Sequence, residues 1–497
     1  MTSPTHLILA SAMTMALSPA CLHIDTPPSP VGATTPASHL TTGIAPAESV
    51  DQRDDALAGT RRTDQAGRGT DGQLARISAE EHQRRAAIYH ANRAFDEARG
   101  HWQAILTRYP QDSNVPAAMF GIGRSLFQER RYTEALPVFA KLGDTYPQVE
   151  AGRDGYYYVA ATLLRMERAG EAAARYGAYV TKFPNGERIE NAYLNVIDSL
   201  REAGKSEEAL PWVTRTRERF AGKPAAVNAL FARLRLEVAR SDWPTALRTA
   251  DELSRAPFAR GVQTTPQELT YLRAYCLERA GQKSEAVKTY QSIPDAVSSY
   301  YGGLATARLD ALGGEAKRSA AARMMRVRAE ALRMKADYPT PHRESILRAV
   351  SGQSVDPRLM LAIMRQESGF NPLAKSPAAA RGLMQFTADT AQKYAERAKL
   401  SNLKEDDLYR PEVSIQLAGV YLGELSGMFH GLPEAVAASY NGGEDNVARW
   451  VKRAVHTDPG IFTSEVGFTE SKDYVIKVLA NLRAYRQLYT EDLRPRR

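Results

Sequence analysis

The sequence predicts an all-α protein, in which a solenoid of helical hairpins is followed by a compact helical domain. Three observations predict this fold. Between residues 79 and 310 an alanine recurs every 37 residues, and an aromatic residue recurs in phase with it. The apolar residues between these positions have helical spacing. Beyond residue 338 the repeat stops, and an apolar helix opens with an Asp-Pro pair.

The first 21 residues predict an export signal. The stretch from Leu7 to Leu17 is apolar but too short to be a permanent membrane span. No Lys or Arg precedes it, so a misassigned start codon is the alternative interpretation. We expect a periplasmic protein, or one associated with the outer membrane if Cys21 carries a lipid. Residues 22–78 are rich in Pro, Thr, Ala and Gly with almost no aromatic residue, which predicts a disordered linker.

Residues 79–310 predict the solenoid. A small alanine lets the two helices of a hairpin approach closely, and an aromatic-proline step ends the second helix. These units resemble tetratricopeptide repeats, slightly longer than their usual length of about 34 residues. The array is either a spacer or a docking surface for a protein partner or for a glycan, and the sequence leaves both open. The alanines are Ala98, Ala135, Ala172, Ala209, Ala246 and, after a longer interval, Ala286; the aromatics are Tyr109, Tyr146, Phe183 and Phe220.

Residues 311–337 predict a connecting helix with an arginine-rich, solvated face. Its cations are not interleaved with aromatic residues, so we expect no nucleic-acid partner. The net charge of +8 is compatible with any anionic polymer or surface. Two cysteines far apart exclude a disulfide framework, and we find no zinc-ligand or phosphate-loop spacing. We therefore expect neither a metal nor a cofactor.

The candidate catalytic residue is Glu367, in the last turn of a helix that opens at Asp356-Pro357. Glu367 shares an apolar stripe with Met360 and Met364, and Gly369 should end the helix. Burial and the negative end of the helix dipole would both raise the pKa of this carboxyl. A carboxyl that stays protonated near neutral pH suits a general acid. The alternative is a frayed end with Glu367 turned to solvent, and the helical pattern does not decide.

Four ordered motifs between residues 338 and 490 resemble those of the soluble lytic transglycosylases. They begin at Glu367-Ser-Gly-Phe-Asn-Pro, Ser376-Pro-Ala-Ala-Ala-Arg-Gly-Leu-Met-Gln, Ser439-Tyr-Asn-Gly-Gly and Glu465-Val-Gly-Phe-Thr-Glu. The resemblance implies a lysozyme-like domain over 338–497 that cleaves peptidoglycan glycan strands. The bond would be the β-1,4 bond between N-acetylmuramic acid and N-acetylglucosamine, and the product a 1,6-anhydro-muramic acid. Glu367 would act alone as acid and base, without a cofactor.

The resemblance also implies the residues that contact the substrate. Ser376 would support the sugar or the catalytic carboxyl, and the Tyr-Asn-Gly-Gly turn would place its first two residues at the cleavage site. Phe386 and Trp450 are better explained as core. The substrate-binding candidates are Ser376, Met384, Gln385, Tyr440, Asn441, Glu470 and Tyr474.

Three departures from the family pattern lie near these motifs. Ala379 stands where glycine is common, which is tolerable if the backbone there needs no positive φ, and Gly442 stands where alanine is common. Glu444-Asp445 replaces Pro-Gly and adds two carboxylates beside the third motif, where they could change the charge of the groove. Two alternative functions follow. One is a hydrolytic muramidase with Glu444, Asp445 or Glu470 as second carboxylate, and the other is an inactive glycan-binding scaffold.

Overall fold

The computed structural model describes residues 50–496 as an all-α protein. Only isolated β-bridges and no sheet occur within this range. The predicted export signal, Cys21 and the first part of the predicted linker lie outside the described residues. No helix between residues 50 and 496 has both the length and the apolar character required to cross a bilayer.

The repeat array consists of antiparallel helix pairs that stack in chain order. A first helix, α1, precedes it and a long helix, α15, follows it. The bounds are α1 Val50–Gly67, α2 Ala79–Ala91, α3 Phe95–Arg108, α4 Val115–Gln128, α5 Tyr132–Thr145, α6 Glu150–Arg165, α7 Ala169–Lys182, α8 Ile189–Glu202, α9 Ser206–Arg219, α10 Pro224–Ala239, α11 Trp243–Leu253, α12 Pro266–Arg279, α13 Lys283–Ser292, α14 Tyr300–Leu312 and α15 Gly314–Arg333.

The repeated alanine and aromatic residues occupy the positions in the helix pairs that their spacing predicted. Every alanine of the series, from Ala98 to Ala286, lies on the second helix of a pair and is completely buried. A larger side chain there would push the paired helices apart. Tyr109, Tyr146 and Phe183 are the C-terminal caps of α3, α5 and α7, so the aromatic residue marks the end of each second helix. The predicted α-solenoid is confirmed.

Helix α1 corrects the predicted linker. The segment 22–78 was expected to lack structure, but Val50–Gly67 is helical and packs on the first repeat. Asp64 ties α1 to this repeat: its carboxylate is buried and accepts hydrogen bonds from Tyr89 Oη at 2.5 Å and from His101 Nε2 at 2.9 Å. Composition averaged over a long segment does not reveal a single carboxylate with partners in a later helix.

Helix α15 occupies the predicted connector, but its face is not wholly solvated. Arg323 is buried and donates to the carbonyl oxygens of Ile293 at 2.8 Å and Gln291 at 3.2 Å. This arginine therefore fastens α15 to the array, because its donors find acceptors that water would otherwise supply.

The C-terminal domain follows as a compact cluster of shorter helices. A buried helix, α23, runs through it and contacts both α17 and α20. The bounds are α16 Arg343–Ala349, α17 Pro357–Ser368, α18 Ala388–Ala395, α19 Pro411–Met428, α20 Pro433–Gly442, α21 Glu444–Ala454, α22 Pro459–Glu465 and α23 Thr469–Leu488.

The array packs directly against this domain along its length. The contacts are ion pairs and hydrogen bonds, many of them between buried side chains. They include Arg93 with Asp389, Glu202 with Arg449, Arg201 and Arg235 with Glu465, Glu268 with Lys472, Tyr271 with Asp458, and Asp295 with Arg483. The array and the domain thus form one continuous packed structure.

Candidate functional site

Glu367 lies in the last turn of α17, as predicted. Asp356 caps the helix by accepting from the Arg358 amide, and Gly369 ends it with a positive φ of 56°. Met360 and Met364 on the same stripe are completely buried, whereas Glu367 at the end of the stripe is partly exposed. The carboxyl therefore meets the core on one side and an opening to solvent on the other.

The carboxyl of Glu367 accepts a hydrogen bond from Tyr474 and has an unusual pKa. Burial raises the pKa of Glu367 to about 7, the hydrogen bond from Tyr474 opposes this shift, and the negative charge of Glu470 adds to it. Tyr474 Oη donates to Glu367 Oε1 at 2.6 Å. Tyr474 is buried and Glu470 exposed, four residues apart on α23. The site thus holds a carboxyl that can both release and accept a proton near neutral pH.

The loop of residues 376–383 is organised by the side chain of its first residue. Ser376 Oγ accepts from the amides of Ala378 at 3.2 Å and Ala380 at 3.1 Å, so this side chain organises the loop. Ala379 has a φ of 61°, so the condition on which its substitution for glycine was judged tolerable is not met. The strain is of the order of 1 kcal/mol. Gly382 is required, since a Cβ there would lie 1.9 Å from the carbonyl oxygen of Leu408.

The residues after the loop form one wall of the site. Met384 is completely buried, so the prediction that its side chain lines the groove is wrong; its carbonyl oxygen accepts from Tyr440 Oη at 2.8 Å instead. Gln385 is partly exposed, and its amide donates to the carbonyls of Ala374 and Gly382. The length of a methionine fits either a groove or a core, and only packing separates the two.

Tyr440 and Asn441 come to this wall from a helix and not from a turn. Helix α20 continues to Gly442, and the positive φ of Gly443 ends it. Asn441 is buried, and its Oδ1 accepts from Ser471 Oγ at 2.6 Å, which links α20 to α23. Ser471 was not predicted as a site residue, since an isolated serine carries no pattern. Glu367 contributes to raising the pKa of Tyr440, next to burial, so their polar groups lie near each other.

The substituted carboxylates beside the third motif do not face this site. Asp445 pairs with Arg130 of the array at 2.8 Å, and buried Glu444 lies 3.5 Å from the same arginine. Lys393 Nζ lies 3.9 Å from the same Glu444 oxygen, Oε1. The prediction that these two acids add charge to the groove is therefore wrong, because they are matched by cations at the boundary with the array.

Replacing Tyr474 by phenylalanine should raise the pKa of Glu367 further above 7, because the hydroxyl stabilises the ionised carboxylate. A hydrogen bond to a charged group contributes about 1.5–3 kcal/mol, so we expect a rise of about one pKa unit or more. The measurement is a 13C NMR titration of glutamate carboxyls, with Glu367→Gln identifying the resonance. Tyr421→Phe is the matched control, since Tyr421 packs against Tyr440 with ring centres 5.4 Å apart and is not the hydrogen-bond partner of Glu367. Equal shifts in both variants would contradict the assignment.

The two parts of the chain match two known families. Residues 344–461 match the Transglycosylase SLT domain, and residues 84–150 and 269–296 match Tetratricopeptide repeat families. The protein therefore joins an array of tetratricopeptide-like repeats to an SLT domain, and the four motif segments and Glu367 either lie in that domain or follow it directly. Phe386 and Trp450 are core residues, as predicted.

Several curated bacterial proteins are similar to the C-terminal part. A Haemophilus influenzae protein provisionally named a soluble lytic murein transglycosylase is 36% identical over 145 residues, or 29% of this chain and 24% of that protein. The soluble lytic murein transglycosylase of Escherichia coli is 31% identical over 30% of this chain and 23% of its own length. The matched part thus spans about a quarter of those relatives. An inactive mutant of the lytic transglycosylase Slt from Pseudomonas aeruginosa aligns at 19% identity and a TM-score of 0.48, over 88% of this chain and 79% of that one.

Proposed function

We propose that this protein is a peptidoglycan lytic transglycosylase in which Glu367 is both acid and base. One observation carries the proposal: a carboxyl whose pKa is raised to about 7, in a domain that matches the SLT family. A group with that pKa is present in both protonation states at neutral pH, as a residue that gives and then takes a proton requires. Murein lies outside the cytoplasmic membrane, so the proposal includes export of the protein.

The proposed reaction needs no second carboxylate. Glu367 donates its proton to the β-1,4 glycosidic oxygen between N-acetylmuramic acid and N-acetylglucosamine, and the N-acetylglucosamine leaves with a free 4-hydroxyl. The acetamido oxygen of the muramic acid stabilises the cation that develops at C1. The Glu367 carboxylate then takes the proton of the 6-hydroxyl as O6 bonds to C1, which closes the 1,6-anhydro ring and restores the acid. The tethered hydroxyl outcompetes water because its effective concentration is high.

Tyr474 and Glu470 have complementary effects in this reaction. The hydroxyl of Tyr474 stabilises the Glu367 carboxylate between the two proton transfers, whereas the charge of Glu470 favours the protonated form. Of the three acids considered for a water-using muramidase, Glu444 and Asp445 are matched by Arg130. Glu470 is the remaining candidate for that alternative.

The test is mass spectrometry of purified peptidoglycan digested by the whole chain, beside its Glu367→Gln variant. We expect muropeptides that end in 1,6-anhydro-muramic acid, lighter by one water than reducing ends, and none of them from the variant. Products with ordinary reducing ends would replace the proposal by a muramidase in which Glu470 activates water. Absence of products from several wall types would favour the glycan-binding scaffold.

A further inference from the structure

The first turns of α23 carry two of the site residues and are anchored in the array. Glu470 and Tyr474 flank Lys472, which is buried. Lys472 Nζ donates to Glu268 Oε1 at 3.0 Å and to the carbonyl oxygen of Gln263 at 3.0 Å. Both partners belong to the array, on or just before α12. A residue between two site residues is therefore bound by a different part of the chain.

The Lys472 ammonium has a further contact with the array and lies in a buried environment. It lies 4.9 Å from the centre of the Phe231 ring on α10. Glu268 is completely buried, and burial lowers the pKa of Lys472 although the acid opposes this shift. A buried ammonium that loses its carboxylate is strongly unfavourable, so the pair holds one geometry.

The segment before α23 is anchored in the array as well. Glu465 at the end of α22 pairs with Arg201 at 2.5 Å and with Arg235 at 3.4 Å. Phe468 packs on Trp450 at 5.2 Å and faces Arg165 of α6 at 5.9 Å. Array contacts thus lie on both sides of Glu470 in sequence, at positions 465 and 472.

The geometry of α23 links the contact between Lys472 and the array to the position of Tyr474. Residues two apart on an α-helix point about 200° away from each other, so Lys472 faces the array while Tyr474 faces Glu367. Rotation of the first turns of α23 about the helix axis would break the bond between Lys472 and Glu268 and the bond between Tyr474 and Glu367 together. The 2.6 Å bond to the carboxyl is thus tied to a pair on the opposite face of the helix.

We propose that Glu268 and Lys472 are positioning residues, through which the array sets the orientation of the first turns of α23 and so holds Tyr474 against Glu367. The array is then a structural part of the active site, rather than a spacer. The expected change in kcat rests on the proposed function. The expected change in the pKa of Glu367 does not.

Glu268→Gln tests the pair, and Asp295→Asn is the matched control. Asp295 is also a buried array acid and pairs with Arg483 of α23 at 2.5 Å, but about three helical turns from Lys472. Glu268→Gln should lower kcat about tenfold or more, change KM less, and raise the pKa of Glu367 as Tyr474→Phe does. Asp295→Asn should lower the melting temperature, leave kcat within about twofold of the parent and leave the pKa of Glu367 unchanged.

A double variant, Glu268→Leu with Lys472→Met, separates stability from positioning. It removes both buried charges and keeps their volume, so the chain should melt near the parent temperature even if Glu268→Gln does not fold. Its kcat should stay low and the pKa of Glu367 raised, because an apolar contact does not fix the orientation of the first turns of α23. A double variant with the kcat and pKa of the parent would overturn the inference, as would equal kinetic losses in Glu268→Gln and Asp295→Asn. An inactive parent would contradict the proposed function alone, since the NMR shift of the Glu367 carboxyl would still decide this inference.

Discussion

Glutamine at position 367 should abolish lytic activity and stabilise the protein at alkaline pH. One group performs both proton transfers in the proposed reaction, so we expect a loss of about 10³-fold or more. Glutamine keeps the length of the side chain and an oxygen that accepts from Tyr474 Oη. The measurement is the rate of anhydro-muropeptide release, with the melting temperature of each form recorded between pH 4.5 and 8.

The stability effect has a defined sign. The pKa of Glu367 is raised from 4.5 to about 7, so the folded state binds the proton more tightly than the unfolded state. That contribution is complete below pH 4.5 and is lost as pH rises through 7, at a cost of about 3 kcal/mol. The glutamine variant does not titrate, so its stability relative to the parent should grow by that amount over this range. An unchanged difference across the range would mean that Glu367 is not buried in solution.

The pH dependence of activity follows from the same carboxyl. Turnover should fall as pH rises above about 7, because the proton donor is then ionised. The variant Glu470→Gln tests this assignment. Removal of the neighbouring negative charge should lower the pKa of Glu367, so the fall in turnover should begin at a lower pH. Activity at the optimum should stay within about tenfold of the parent. Loss of activity as complete as in Glu367→Gln would instead assign Glu470 to the chemistry.

Glu465→Gln should be the most destabilising single change in the boundary between the array and the domain. The carboxylate is buried among Arg201, Arg235 and Arg453, at distances of 2.5, 3.4 and 3.3 Å. Removal of one partner from a buried ionic cluster leaves cations uncompensated and costs about 3–5 kcal/mol. Thermal or denaturant unfolding of parent and variant measures the loss.

The pKa of Glu465 sets the range over which that loss is seen. The three arginines lower the pKa of Glu465 to about 2 against the opposing effect of burial. Its contribution is therefore complete above pH 4.5 and is lost as pH falls toward 2, so the difference between parent and variant should shrink only in strong acid. Glu285→Gln is the control, since Glu285 forms an exposed pair with Lys288 and should cost less than about 1 kcal/mol. Equal losses in both variants would refute the buried cluster as a source of stability.

The periodic and local features of the chain were readable from the sequence. Buried alanines such as Ala98 and Ala135 recur because each hairpin meets its neighbour in the same way, and one-dimensional spacing records such a repeat. The helix that carries Glu367 was equally local, since Asp356 and Gly369 cap it within a few residues. Structural features that depend only on residues close in the chain can be recognised from the local sequence.

Two of the three features that the sequence did not predict depend on a distant partner, and the third depends on the geometry of a loop. Helix α1 forms around Asp64, whose partners lie 25 and 37 residues further along the chain. Glu444 and Asp445 were expected to add charge to the groove, but they lie beside Arg130, which is more than 300 residues earlier in the chain. Ala379 has a positive φ that its residue type does not indicate, because hydrogen bonds of the loop set its backbone.

The sequence by itself determined the all-α class, the repeat, the position of Glu367 at a helix end and the motifs beside it. Only the tertiary structure decided that the carboxyl is buried enough to hold a pKa near 7 and that Tyr474 bonds to it. It also decided that the array packs against the domain through pairs such as Glu268 with Lys472. The physical reason is that burial and ion pairing arise from residues brought together across more than 100 positions, and no local pattern encodes those distances.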